Sequence, residues 1–162
     1  VNGNKMAVAV FQMPNVIGEA IATHERSGTR LKANFTKLPP GEHGFHIHVA
    51  GDLRGEGCKG ACDHFHKGKP VAHGDKPGSK RERHTGDLGN IEVGEYTYYL
   101  SGVAPEELWG RSLIVHADKD DLGLGTEEDS KTTGHSGARI ACAIFGRMKP
   151  CTSRKTRKVS TK

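Results

Sequence analysis

Short segments in which apolar and polar residues alternate run through most of this chain. No stretch sustains the 3.6-residue apolar repeat of a capped helix. Leu31, Ala33 and Phe35 face one way, with Lys32, Asn34 and Thr36 opposite; Tyr96, Tyr98 and Leu100 alternate with Glu95, Thr97 and Tyr99. Leu113 and Val115 alternate in the same way with Ser112, Ile114 and His116. Segments 5–12, 16–23, 44–49 and 139–145 are also short, rich in β-branched or small apolar residues, and bounded by Gly, Pro or polar turns. With 22 glycines in 162 residues, the chain has ample material for tight turns between such strands. The expected class is all-β: a sandwich or barrel of about seven to eight strands.

Two connections are too long for plain turns. Residues 50–86 are rich in Gly, Lys, His and Asp, and residues 117–138 in Gly, Asp, Glu and Thr. Loops of that length in a compact domain commonly carry function. Beyond them, residues 149–162 contain six basic side chains and no acidic one, whereas the whole chain carries +5, so residues 1–148 sum to −1. The expected division is therefore a globular domain over 1–148 and a basic, disordered tail over 149–162. A polyanion contact is expected of that tail alone. Aromatic residues make up 6% of the chain, too few for a nucleic-acid stacking platform. No apolar run approaches the roughly 20 residues of a membrane span, so no membrane insertion is expected. The first residues lack a charged segment followed by a long apolar one, which favours a cytoplasmic location; an extracellular one after removal of a signal peptide is the alternative.

Ten histidines are present, and seven of them (His43, His46, His48, His64, His66, His73 and His84) fall within residues 43–84. Histidine is the commonest protein ligand of transition metals. His46 and His48 are two apart on an expected strand, so both imidazoles leave the same face and can converge on one ion. His43 has the opposite parity and is expected to point away. A site made only of imidazole nitrogens suits Cu(II), zinc or nickel, and three histidines with one carboxylate suit tetrahedral zinc. The chain can supply both sets if one histidine serves two metals.

At this level of detail the sequence resembles the copper/zinc superoxide dismutases. The resemblance is carried by Gly44-Phe45-His46-Ile47-His48, Gly51-Asp52, His64-Phe65 and His84-Thr85-Gly86-Asp87-Leu88-Gly89-Asn90. It continues through Gly110-Arg111-Ser112-Leu113-Ile114-Val115-His116, Asp120-Asp121-Leu122-Gly123 and the run from Thr133 to Cys142. The resemblance implies a Greek-key, immunoglobulin-like β-sandwich with two long functional loops. It also implies an enzyme that converts superoxide to oxygen and hydrogen peroxide, with one copper and one zinc per chain. The copper ligands would be His46, His48, His64 and His116, and the zinc ligands His64, His73, His84 and Asp87. His64 would bridge the metals, and Asp120 would tie a copper-bound histidine to a zinc-bound one. Arg139 would guide the anion, Thr133 would narrow the channel, and Cys58 would pair with Cys142. A homodimer is implied as well. Taken alone, Asp-Asp-Leu-Gly is also a good turn sequence, and Arg139 reads equally as an exposed strand residue.

Some positions depart from the family. His66 and His135 stand where asparagine is usual, and neither is expected to be a ligand. Thr132 occupies the place of a steering lysine, with Lys131 beside it. Trp109 and Arg147 replace smaller apolar residues near the expected subunit contact. Cys62 and Cys151 have no family role and are expected to be free thiols. Three other functions compete: a dismutase-like copper chaperone, a catalytically silent metal-binding sandwich, and a metal store.

Overall fold

The computed structural model of the chain describes residues 5–149. Apart from Lys149, the expected tail lies outside the described residues, and Cys151 with it. Among the described residues, nine strands form two antiparallel sheets. The five-stranded sheet has the order β6-β3-β2-β1-β9, from β1 (Met6–Met13), β2 (Val16–Glu25), β3 (Gly28–Lys37), β6 (Gly94–Ser101) and β9 (Gly146–Met148). The four-stranded sheet has the order β5-β4-β7-β8, from β4 (His43–His48), β5 (Asp87–Ile91), β7 (Ser112–His116) and β8 (Arg139–Ile144).

The alternation read from the sequence sets what fills the space between the sheets. Ala7, Ala9, Phe11, Leu31, Ala33 and Phe35 project inward from one sheet, and Phe45, Ile47, Leu113 and Val115 from the other; all are buried. Alanines facing phenylalanines let the two sheets interdigitate. Phe35 meets Phe11 at 5.3 Å and Phe45 edge-on at 5.5 Å between ring centroids. Losing Phe45 to alanine would cost about 3–5 kcal/mol, because the packed ring leaves a cavity.

Two strands differ from expectation. β5 has no alternation to mark it as a strand, and Asp87, Gly89 and Asn90 are turn formers; β4 supplies the partner, pairing His43 with Ile91 and Gly44 with Asn90. The segment expected as one strand over 139–145 runs on through Phe145 into β9 in the other sheet. Phe145 leaves that path to exchange backbone hydrogen bonds with Arg111 O and Gly110 N at 2.9 and 3.0 Å. The last strand therefore links the two sheets.

Both long connections are anchored at the four-stranded sheet. The first contains a 3-10 turn over Glu56–Ala61 and returns beside β4: Phe65 N donates to Ile47 O at 2.7 Å, and Ile47 N donates to Gly86 O at 2.8 Å. The second contains the one-turn helix α1 (Ser130–Thr133). It passes so close above β4 that a Cβ on Gly44 would collide with the Ser136 side chain and press on Asp120 Cβ at 3.3 Å. A disulfide between Cys58 and Cys142 ties the first connection to β8. No helix among the described residues is long and apolar enough to cross a membrane.

Candidate metal centre

β4 is buried on both faces. Phe45 and Ile47 face the sandwich, while His46 and His48 leave the opposite face, with ring centroids 6.3 Å apart. β7 is paired to β4 with His46 opposite Ile114 and His48 opposite Ser112, so even positions of both strands share that face. His116 ends β7 there, 4.7 Å from the His46 ring. His64 arrives from the first connection as an isolated bridge partner of His48 and stacks 4.1 Å from His46. His43 points away, as its parity requires; its two nitrogens meet His116 O and Pro39 O at 2.9 and 2.8 Å.

The hydrogen bonds settle which ring nitrogen each histidine offers. A carbonyl only accepts, so a nitrogen bonded to one carries the proton and leaves its partner a lone pair. His48 Nδ1 donates to Cys62 O at 2.8 Å, and His116 Nδ1 to Gly137 O at 3.1 Å. His46 Nε2 donates to Asp120 Oδ2 at 2.7 Å. The opposite atoms, His46 Nδ1, His48 Nε2 and His116 Nε2, are buried without any partner, and so is His64 Nε2. Buried polar atoms normally find a partner. Four orphaned lone pairs converging within 4.8 Å of one another fit a single transition-metal ion.

On the other side of His64 the donors are different. His64 Nδ1 and His73 Nδ1 lie 2.9 and 3.0 Å from Asp87 Oδ1. His84 Nδ1 lies 3.4 Å from Asp87 Oδ2, while His84 Nε2 donates to Val71 O at 3.0 Å. These three nitrogens and the carboxylate also lie within 4.8 Å of one another, and three imidazoles with a carboxylate fit tetrahedral zinc. Asp120 spans both groups: Oδ2 accepts from His46 and Oδ1 from His73 at 2.8 Å.

Electrostatics divides the groups in the same way. Burial, reinforced by the neighbouring His64, pushes His48 down to about 2. Burial likewise lowers His116 to about 4 and holds His46 well below the ordinary histidine value. Burial opposes charge on His73 too, but its bonds to Asp120 and Asp87 outweigh that and raise it to about 9. Against the cost of burial, hydrogen bonds from His64, His73 and His84 hold Asp87 well below the usual carboxylate range.

A cleft of about 470 Å³ opens onto His48, His64 and His116, with Thr133 and Arg139 in its wall. Arg139 is half-buried; its guanidinium donates to Cys58 O and Cys62 O at 2.8 and 2.7 Å, so the disulfide-anchored loop holds it in place. Lys131 and Thr132 also line the cleft.

His66 and His135 belong to neither cluster. His66 Nε2 donates to Lys69 O at 2.8 Å while Nδ1 accepts from Thr85 N at 3.1 Å. His135 bonds Asp129 at 2.6 Å on the surface. Cys62 is exposed and, among the described residues, has no disulfide partner. Two further residues support the centre. Asn90 clamps the Asp120 backbone, donating to its carbonyl at 2.9 Å and accepting from its N–H at 2.7 Å. Arg83 donates to the carbonyls of Asp75, Thr85 and Asp87 at 3.0, 2.8 and 2.8 Å, stitching together the loop that presents His73 and His84. Asn90 lies inside a motif already noted, whereas nothing sets Arg83 apart from the other basic residues of its loop.

Known proteins resemble this chain. The family model for copper/zinc superoxide dismutase (SODC) matches residues 16–145. An extracellular superoxide dismutase [Cu-Zn] of Haemonchus contortus is 46% identical over 131 residues, covering 75% of this chain and 69% of that protein. A superoxide dismutase [Cu-Zn] of Paramecium bursaria Chlorella virus 1 is 42% identical over 152 residues, covering 88% of this chain and 79% of its own. Among solved structures, the clock protein EA4 matches with a TM-score of 0.75 at 32% identity, over 91% of this chain and 98% of that one.

Proposed function

The chain belongs to the copper/zinc superoxide dismutase family, and from that premise we propose how its residues divide the work. It is an enzyme that converts superoxide to oxygen and hydrogen peroxide, with copper and zinc as its metals. His46, His48, His64 and His116 hold copper; His64, His73, His84 and Asp87 hold zinc. The observation that carries this assignment is His64, whose Nε2 joins one cluster and whose Nδ1 joins the other. Copper, when bound, supplies the one-electron redox chemistry, and zinc has none of its own.

The protein's own groups do the rest. Asp120 fixes the tautomers of His46 and His73 together, as outer carboxylates commonly do for ligating imidazoles. Arg139 binds the superoxide anion in the cleft and orients it towards His48, His64 and His116. Thr133 narrows the approach. Whenever it is not holding copper, His64 Nε2 would be the atom that carries a proton to the departing peroxide. The test is metal analysis with a superoxide-consumption assay on the purified full chain. One copper and one zinc per chain with rapid consumption is expected; normal copper loading without activity would defeat this assignment.

A homodimer is supported by exposed apolar side chains at Val49 and Ile144 around the close approach of Gly51 to Gly110. Beside them Arg147 covers the Trp109 ring at 5.3 Å. Sedimentation of the full chain tests it. The extracellular location is favoured over the cytoplasmic one by the name of the Haemonchus contortus relative. For the basic segment 149–162, polyanion binding is tested by retention on heparin with and without those residues; equal retention defeats it.

A further inference from the structure

Asp63 and Asp129 stand in the wall of the cleft beside the cations Lys131 and Arg139. Superoxide is an anion, so an uncompensated carboxylate at the mouth slows its approach. Asp129 is compensated. His135 Nδ1 lies 2.6 Å from Asp129 Oδ1, with both side chains about half exposed.

The backbone builds this pair. Asp129 stands at the N-terminal end of α1, and its carbonyl accepts from the hydroxyls of Thr132 and Thr133 at 3.1 and 3.2 Å. The chain then passes through two left-handed residues in succession, Gly134 at φ 76° and His135 at φ 53°, which turn the imidazole back onto Asp129. The charged groups facing His135 are Asp129, Glu127 and Asp121, all acidic. Its bond to Asp129 raises its pKa above the ordinary histidine value. Thr132 brings no charge to the same rim, and Lys131 Nζ is engaged with Gly123 O at 2.7 Å.

We propose that His135 governs the attraction of superoxide: protonated, it cancels the Asp129 charge at the mouth of the cleft, and deprotonated, it leaves that charge to repel the substrate. The inference rests on the cleft being the path of superoxide. His135 acts through Asp129 and is a positioning residue for the approaching anion.

The test is kcat/KM for superoxide, measured on the metal-loaded full chain at low ionic strength from about pH 6 to about pH 9. The wild type is expected to lose about twofold as His135 gives up its proton, the size of effect that one surface charge exerts through water. High salt should erase that loss. His135→Asn keeps a residue suited to left-handed backbone and should be flat at the low wild-type value; Asp129→Asn should lie above the wild type at high pH, with its own fall moved to lower pH. By NMR, the His135 pKa should fall in Asp129→Asn. Coincident pH profiles for wild type and His135→Asn overturn the proposal, as does an unmoved His135 titration. If Arg139→Ala leaves kcat/KM unchanged, the cleft is not the path, and the proposal falls with that reading.

Discussion

The two sides of His64 differ in what they can do with a proton. On one side His46, His48 and His116 have no carboxylate among their converging nitrogens, and burial keeps all three neutral, with His48 down at about 2. On the other side Asp87 stands among the donors, and His73, held between Asp87 and Asp120, is raised to about 9. The first side is a set of neutral nitrogen donors open to a cleft. The second has a carboxylate among its nitrogens, and His73 there lies between two carboxylates. Burial is common to both, and His46 bonds Asp120 alone whereas His73 bonds both Asp87 and Asp120, so the second carboxylate accounts for the difference.

The sharpest way to break the comparison is His116→Ala. Removing this proposed ligand should abolish copper binding and lower activity by more than about a hundredfold, beyond the cost of losing an outer partner, while zinc content stays near one per chain. Equal loss of both metals would mean that the two sides are not separable. Next is Cys58→Ser. The disulfide closes a separation of 84 residues, and its loss should cost about 4 kcal/mol in denaturant unfolding. It should loosen the His48 and Arg139 side, since both bond to Cys62 O, and leave zinc retention nearly intact.

Asp120→Asn tests the link between the sides. It should weaken metal affinity by about 10–100-fold at both sites, because His46 and His73 lose the same anchor. An effect on one metal alone would assign Asp120 to that side only.

The pH dependence of the metal-free chain probes the same comparison without either metal. His48 and His116 are lower in the folded state than the ordinary 6.5, so below that pH the unfolded chain takes up protons that the folded chain refuses. Stability should therefore fall as pH drops from 6.5, by up to about 1.4 kcal/mol per pH unit for each histidine. The His116 contribution levels off near 4. His73 has the opposite sign: its contribution is complete below 6.5 and is lost as pH rises through about 9. Denaturant unfolding across pH should show a maximum between these limits, and a flat profile would contradict both assignments.

Much of the fold is legible because period-two alternation is a local signal. Leu31, Ala33 and Phe35 announce their shared face without reference to any other strand. β5 is not legible, because Asp87, Gly89 and Asn90 favour turns and only the edge of β4 makes them a strand. The break at Phe145 is hidden for a similar reason: it depends on backbone bonds to residues 110 and 111. At the site, the spacing of His46 and His48 marks half of one cluster. The ligand sets, by contrast, followed from resemblance and not from spacing, since His116 is brought to His46 by strand pairing. Arg83 and the Asp129–His135 pair depend on carbonyls and turns that no spacing encodes.

The bridging place of His64 is tested most directly by the copper electron paramagnetic resonance spectrum of the full chain, recorded with and without zinc. Zinc should alter the copper spectrum of the wild type and leave that of His64→Ala unchanged. A wild-type copper spectrum indifferent to zinc would contradict the bridge.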